Sequence, residues 1–412
     1  MNIIQKSFLL MSCLLAGMTV MADNKKIVDG INYELNPKKH TAKVIKNNVP
    51  YQGDFTIPAK ITADSIQYDV KEINGSTFEG CSALNNIIIP QSVVRIGSNA
   101  FKGCSSLTDI ALPDSIESLS DNLFEGCSSL KTIALPKMLK EFSSGIFKKC
   151  SSLETFEIPN SIKNISTNMF LGCSNLKTVI IPSSIKKIGY SAFQDCASLE
   201  EINIPNSVTD IGWIAFKNCA SLKTFIFPNS INNISNSILE GCSSLRDVSI
   251  PNSVKEIDHD AFKNCSSLDS LIIPNSVKDL AKSSFEGCSS LRRITMSNSI
   301  KDLPSSVFKN CGNLQNFVIP SAVKSIGSNA FENCANIRSI IIPAAVTSIG
   351  GSAFRGCTSL REVIVDGATP AKISGDSFDK TTYQSGKLYV ISPTTYTADK
   401  KWNKFIYILS KL

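Results

Sequence analysis

Thirteen of the fourteen cysteines recur every 23 residues, at Cys81, Cys104, Cys127 and onward to Cys357, with no insertion or deletion across twelve periods. A register this strict marks a repeat array. By length alone, 412 residues could hold two or three ordinary domains, but a solenoid grows by adding coils, not domains. Other columns keep the same register. Three residues before each cysteine stands a phenylalanine, from Phe78 to Phe354, with Leu239 the one exception. Three residues after it stands a leucine, with Ile337 the one exception. The unit reads C-x-x-L-x-x-I-x-I-P-x-S-V-x-x-I-x-x-x-A-F-x-x.

Each column has a physical reading. Ile87-x-Ile89 alternates with period two, which predicts a short strand with one buried face. Pro90 lacks an N–H and cannot extend the ladder, so the chain turns there. Ser92 and its equivalents can hydrogen-bond backbone in the turn and in the next coil. Phenylalanine fills the coil interior, and Ala100, Ala192 and Ala215 precede it where space is tight. No single unit can bury its apolar face; stacking creates one continuous core. With strands about 4.8 Å apart, the array extends on the order of 60 Å.

The ends depart from the period. In residues 1–22, Lys6 precedes an apolar run over 7–21, and Val20-Met21-Ala22 precedes a polar stretch. This pattern predicts a secretory signal peptide cut after Ala22. The run is shorter than the roughly 20 residues a membrane span needs. Leu10-Met11-Ser12-Cys13 loosely resembles a lipoprotein box, but Met11 fits poorly and the apolar run continues past Cys13. The expected location is secreted or cell-surface, with outer-membrane association and periplasm left open, and no membrane span in the mature chain. Residues 23–57 predict a capping β-hairpin, with strands at 31–35 and 41–45 around Asn36-Pro37-Lys38-Lys39. Residues 58–365 form the array of about thirteen coils; Pro58 falls nine residues early for the period, which places an insertion at 62–68. Residues 366–412, opening with Asp366-Gly367-Ala368-Thr369-Pro370, are expected to be a C-terminal cap that covers the open end of the stack.

Leu84-x-x-Ile87-x-Ile89 resembles the opening of the leucine-rich repeat. The 23-residue length, the proline after the strand and Ala-Phe-x-x-Cys are similar to its BspA-like branch, with treponemal and Bacteroidetes-type surface proteins among its members. The resemblance spans about residues 58–365 and recurs in every unit. It implies a right-handed coil with a parallel β-sheet on the concave face and short irregular or turn segments on the convex side. It also implies surface location and adhesive or ligand-binding roles, without fixing the ligand. One departure stands out. The asparagine position of the general repeat holds serine in nine of twelve units, with Met138, Ala322 and Ala345 as exceptions. The ladder between coils is therefore weaker there or built differently.

Little in the sequence points to chemistry. A net charge of +7 without a concentrated basic stripe does not suit nucleic acid. Stacked cysteines would lie about 4.8 Å apart with parallel side chains, whereas a disulfide wants facing Cβ atoms nearer 3.8 Å. A reduced, buried thiol ladder is expected instead. No Cys-x-x-Cys or Cys/His pair offers a zinc site, and no metal or cofactor is expected. His40 and His259 are the only histidines, too isolated to activate a serine or cysteine nucleophile. Gly97, Gly189, Gly212, Gly327 and Gly350 are turn residues, not a phosphate loop. Glu200 and Glu201 form a charged pair on a sheet face, solvated and not catalytic. The chain reads as a binding scaffold, not an enzyme.

The informative variation lies on the concave strand, where residues between the buried aliphatics must point outward. Just before the last aliphatic these are Ile88, Ala111, Ala134, Glu157, Ile180, Asn203, Ile226, Ser249, Ile272, Thr295, Val318, Ile341 and Ile364. The position after the consensus leucine is charged in most coils and becomes arginine-rich in the second half. Aliphatic residues near arginine suit a protein partner, although Ile and Val also simply favour strands. The candidate ligand-binding residues are Ile180, Ile226, Ile272, Val318 and Ile341 with Arg246, Arg292, Arg293, Arg338 and Arg361. The expected partner is an extracellular protein, such as a matrix component or a neighbouring-cell surface protein. The alternative is a carbohydrate- or nutrient-binding accessory protein that holds an acidic glycan. Trp213 and Trp402, the only tryptophans, lie off the concave strands, which favours the protein partner.

Overall fold

The computed structural model describes residues 24–411, so the signal sequence read at 1–22 lies outside the described residues. The described chain winds into a β-solenoid of about 15 turns. Three columns of backbone hydrogen bonds run along the stack, the first two of them as short sheets of two to four strands. The first is the parallel sheet that the Ile-x-Ile segments predict. Thr132–Ala134 pairs with Asp109–Ala111, Thr224–Ile226 with Asp247–Ser249, and Ser270–Ile272 with Arg293–Thr295, all in register. The second column consists of two-residue parallel strands formed by the outer half of the V-x-x-I segment, such as Asn164–Ile165, Lys187–Ile188 and Asp210–Ile211. The sequence suggested only turns on this side. Two residues per coil are too few to show an alternating pattern.

The third column surrounds the phenylalanine. Ile214, Phe216 and Asn218 donate to Asn236, Ile238 and Glu240 of the next coil at 3.0, 3.0 and 2.7 Å. The residue before each cysteine must therefore be left-handed, with φ of 73° at Gly103 and 60° at Asn218; glycine and asparagine tolerate this best. Gly212 serves a different need. A Cβ there would stand 2.5 Å from the Tyr190 backbone nitrogen of the preceding coil.

Inside, the phenylalanines stack from coil to coil, with ring centroids 5.2 Å apart for Phe78 and Phe101 and 5.1 Å for Phe193 and Phe216. Leu239 interrupts the stack. Phe225 and Phe227 from the first column lean into the gap, joining Phe216 at 5.1 Å to Phe262 at 6.3 Å. The cysteines form a thiol ladder. Cys104 donates to the Phe78 carbonyl at 3.2 Å, and the pattern repeats to Cys357 on Phe331. The Phe78 carbonyl also accepts the Cys81 N–H at 3.0 Å, so both of its lone pairs are used. The thiols point at carbonyls, not at one another.

That ladder takes over part of the role of the asparagine column. The serines that replace asparagine are unequal. Ser115 donates to the Val93 carbonyl at 3.3 Å, whereas the hydroxyls of Ser184, Ser207, Ser253 and Ser276 are enclosed without a hydrogen-bond partner. Ser207→Ala is therefore expected to leave stability unchanged or raise it by up to about 1 kcal/mol, while Ser115→Ala lowers it by about 1 kcal/mol. Urea unfolding of both variants distinguishes them, and equal losses would show that Ser207 has a partner after all.

The stack extends past both boundaries drawn from the period. Gly53–Thr56 already pairs in parallel with Leu84–Ile88, ahead of residue 58. Lys25–Val28, Ile31–Asn36 and Thr41–Val44 form an antiparallel meander whose last strand runs parallel to Ile66–Ile73. The insertion expected at 62–68 is a hairpin between Lys60–Ala63 and Ile66–Ile73. At the other end, Glu362–Val365 pairs with Lys387–Val390 and that with Tyr407–Ser410. Phe378 stacks on Phe354 at 5.1 Å. Residues 366–411 are thus modified coils that carry two short helices, Lys380–Ser385 and Pro393–Ala398. The helices change the coil length, which hides these coils from a search at constant spacing.

Candidate binding face

The outward residues of the first column form a comb. Ile180, Ile226, Ile272, Val318 and Ile341 are exposed by 51% at Ile341 to 76% at Val318. From Ile180 to Val318 they occupy alternate coils, with Asn203, Ser249 and Thr295 between them, so large apolar teeth alternate with small polar gaps. Ile226 and Ile272 flank one gap over Ser249, where a shallow depression of about 660 Å³ crosses three coils. Its floor includes Val248 and Ile250, which are only half-buried, unlike most of their equivalents. Val318 departs from the others. It follows Asn316, whose φ of 48° breaks the strand, so it projects from an irregular segment.

The charges beside the comb are partly committed to each other. Lys177 pairs with Glu154 at 2.8 Å, Lys223 with Glu200, and Arg292 with Asp269 at 3.3 Å. Lys177 and Lys223 hold the carboxyls of Glu154 and Glu200 below their usual range. Arg361 donates to the Thr358 and Leu360 carbonyls of its own turn. Arg293 stands on the strand itself, opposite Ser270. Among the described residues, Arg246, Arg293 and Arg338 have no ion pair. The candidate arginines therefore divide into three uncommitted cations and two that are already held. All ten candidate residues lie on or beside the first column, and Ile226 and Ile272 line one depression.

The face offers apolar contact, shape and charge. Among the described residues, no group of three or more His, Cys, Asp or Glu side chains could hold a metal ion. No helix among them is long and apolar enough to cross a membrane.

The sequence model of the BspA type leucine rich repeat region, six copies long, matches residues 55–177, 163–291 and 255–385. Among solved structures, a leucine-rich repeat protein from Bacteroides ovatus is similar at 29% identity and a TM-score of 0.71, covering 82% of this chain and 94% of that one. A leucine rich cell surface protein from Faecalibacterium prausnitzii is similar at 30% identity and a TM-score of 0.60, covering 85% and 96%. The pneumococcal vaccine antigen PcpA, at 18% identity and a TM-score of 0.51 over 95% and 99%, shares the fold. A comparison with curated proteins found no match.

Proposed function

Because the chain belongs to the BspA-type leucine-rich-repeat family, we propose that it is an exported, surface-displayed scaffold, adhesin-like and not enzymatic, that holds an extracellular protein against its first strand column. The observation that carries this reading is the comb of exposed aliphatics with the depression between Ile226 and Ile272. Isolated surface aliphatics are ordinary, but large teeth on alternate coils around a half-apolar floor form a shaped surface that side chains of a partner can enter. Uncommitted arginines nearby favour a partner with acidic groups around its apolar contact.

The test is binding of the mature chain to immobilised fibronectin, laminin and collagen. At least one is expected to capture it. Replacing Ile226 and Ile272 together with Asp should speed dissociation by about tenfold or more, because packed contacts mainly set off-rates. Replacing Arg246 and Arg338 with Gln should slow association and flatten its salt dependence, because exposed charges steer encounter. Failure of all three proteins to bind, or unchanged kinetics in both variants, would contradict the proposal.

A further inference from the structure

A second feature lies elsewhere on the coil. Two residues after the second strand column, Tyr190 and Trp213 occupy the same position in consecutive coils, linked by the Ser191 N–H to Trp213 carbonyl bond of 3.1 Å. They are 47% and 61% exposed. Neither ring packs against another ring among the described residues, and both are exposed. This position is polar in the flanking coils, with Thr167 before and Asn236 and His259 after. The nearest charged residue on the adjoining strand, Asp210, is neutralised by Lys187 at 3.5 Å.

The residue after Trp213 adds an independent sign. Its position is left-handed in coil after coil and is filled by Asn, Ser, Asp or Gly, but Ile214 holds it with φ of 49°. A β-branched residue in that conformation costs roughly 1–2 kcal/mol, and such outliers gather where the backbone serves a site.

We propose that Tyr190 and Trp213 form a platform for an uncharged glycan, apart from the first-column face. A pyranose ring has one face of C–H bonds, which suits the electron-rich face of an aromatic ring. Its hydroxyls suit a rim of amide, hydroxyl and imidazole groups such as Asn236, Thr167 and His259. A protein partner would need contiguous apolar area, and this position supplies two rings in polar surroundings. The two residues sit one coil apart, so their rings can address neighbouring sugars of one chain. On the two adjoining strands the one cation, Lys187, is already paired with Asp210, so it is not free to select an acidic sugar.

The tryptophans make the test direct. Trp402 is fully buried with its indole N–H donated to the Ala371 carbonyl at 2.8 Å, so a change in tryptophan emission reports Trp213. The mature chain is titrated with glucomannan, xyloglucan, α-mannan and β-1,3-glucan. At least one is expected to shift the emission to the blue, saturably, and to shield it from acrylamide. Trp213→Ala should abolish retardation of the chain in gels containing that polysaccharide, Tyr190→Ala should weaken it by about tenfold, a loss of roughly 1.4 kcal/mol, and Trp213→Tyr should retain it. The Ile226→Asp, Ile272→Asp variant should bind the polysaccharide as the parent does, which separates this site from the first-column face. No shielding by any of the four, retention by Trp213→Ala, or shielding only by a protein captured on the first column would overturn the proposal.

Discussion

Between pH 8 and 10 the array is expected to lose stability steeply. Burial raises the thiol pKa to about 12 at Cys173, Cys242, Cys288 and Cys357. The unfolded thiol ionises near pH 8.5. The folded chain therefore binds more protons than the unfolded chain above that pH. The stability these groups supply is fully present below about pH 8.5 and is lost as pH rises toward the folded value. Each thiol removes about 1.4 kcal/mol per pH unit in that window. Four in one cooperative block would remove roughly 5–6 kcal/mol per unit, comparable to the whole stability of a small domain. Urea midpoints at pH 7, 8, 9 and 10 measure this. A Cys219→Ala, Cys242→Ala variant should show a shallower slope. At pH 7 a thiol reagent should find the native ladder nearly silent and all thirteen thiols reactive after denaturation without reductant. A flat midpoint across pH 8 to 10, or cysteines mostly oxidised, would mean that the ladder does not exist as thiols donating to carbonyls.

Phe216→Ala is expected to cost about 3–5 kcal/mol. Phe216 is fully buried, stacks on Phe193 and meets the edge of Phe225, both at 5.1 Å. It is also the last ring before the interruption at Leu239, so truncation removes the ring that Phe225 leans on. Coils contact mainly their neighbours. The loss should therefore split the melting profile, with the coils around 190–262 opening before the rest. A single unchanged transition would show that the ring contributes no packing there.

The core was legible because its columns obey one spacing. Cysteine, phenylalanine and leucine each keep their place in the unit, and a buried column tolerates little substitution. What escaped were features that exist only between coils. The position after phenylalanine looks like variable surface charge, yet Lys217 pairs with Glu240 at 2.9 Å and Lys309 with Glu332 at 2.8 Å. A consensus of single units averages that alternation away. The asparagine of one coil also sits over the glycine of the next, so that a Cβ on Gly241 would stand 2.3 Å from the Asn218 side-chain oxygen. On the binding face, exposure of Ile226 and Ile272 follows from alternation along the strand. The depression does not, because it depends on how deeply Val248 and Ile250 are covered. Tyr190 and Trp213 were visible as letters. Their shared repeat position, one period apart, is the signal that joins them.

A macromolecular partner seated on the first strand column should leave a hydroxyl-radical footprint there, read on the complex with a captured matrix protein. Ile180, Ile226, Ile272, Val318 and Ile341 are expected to lose labelling on complex formation while Tyr190 and Trp213 label as in the free chain. Unchanged labelling of the five aliphatics, with protection confined to the second or third column, would contradict it.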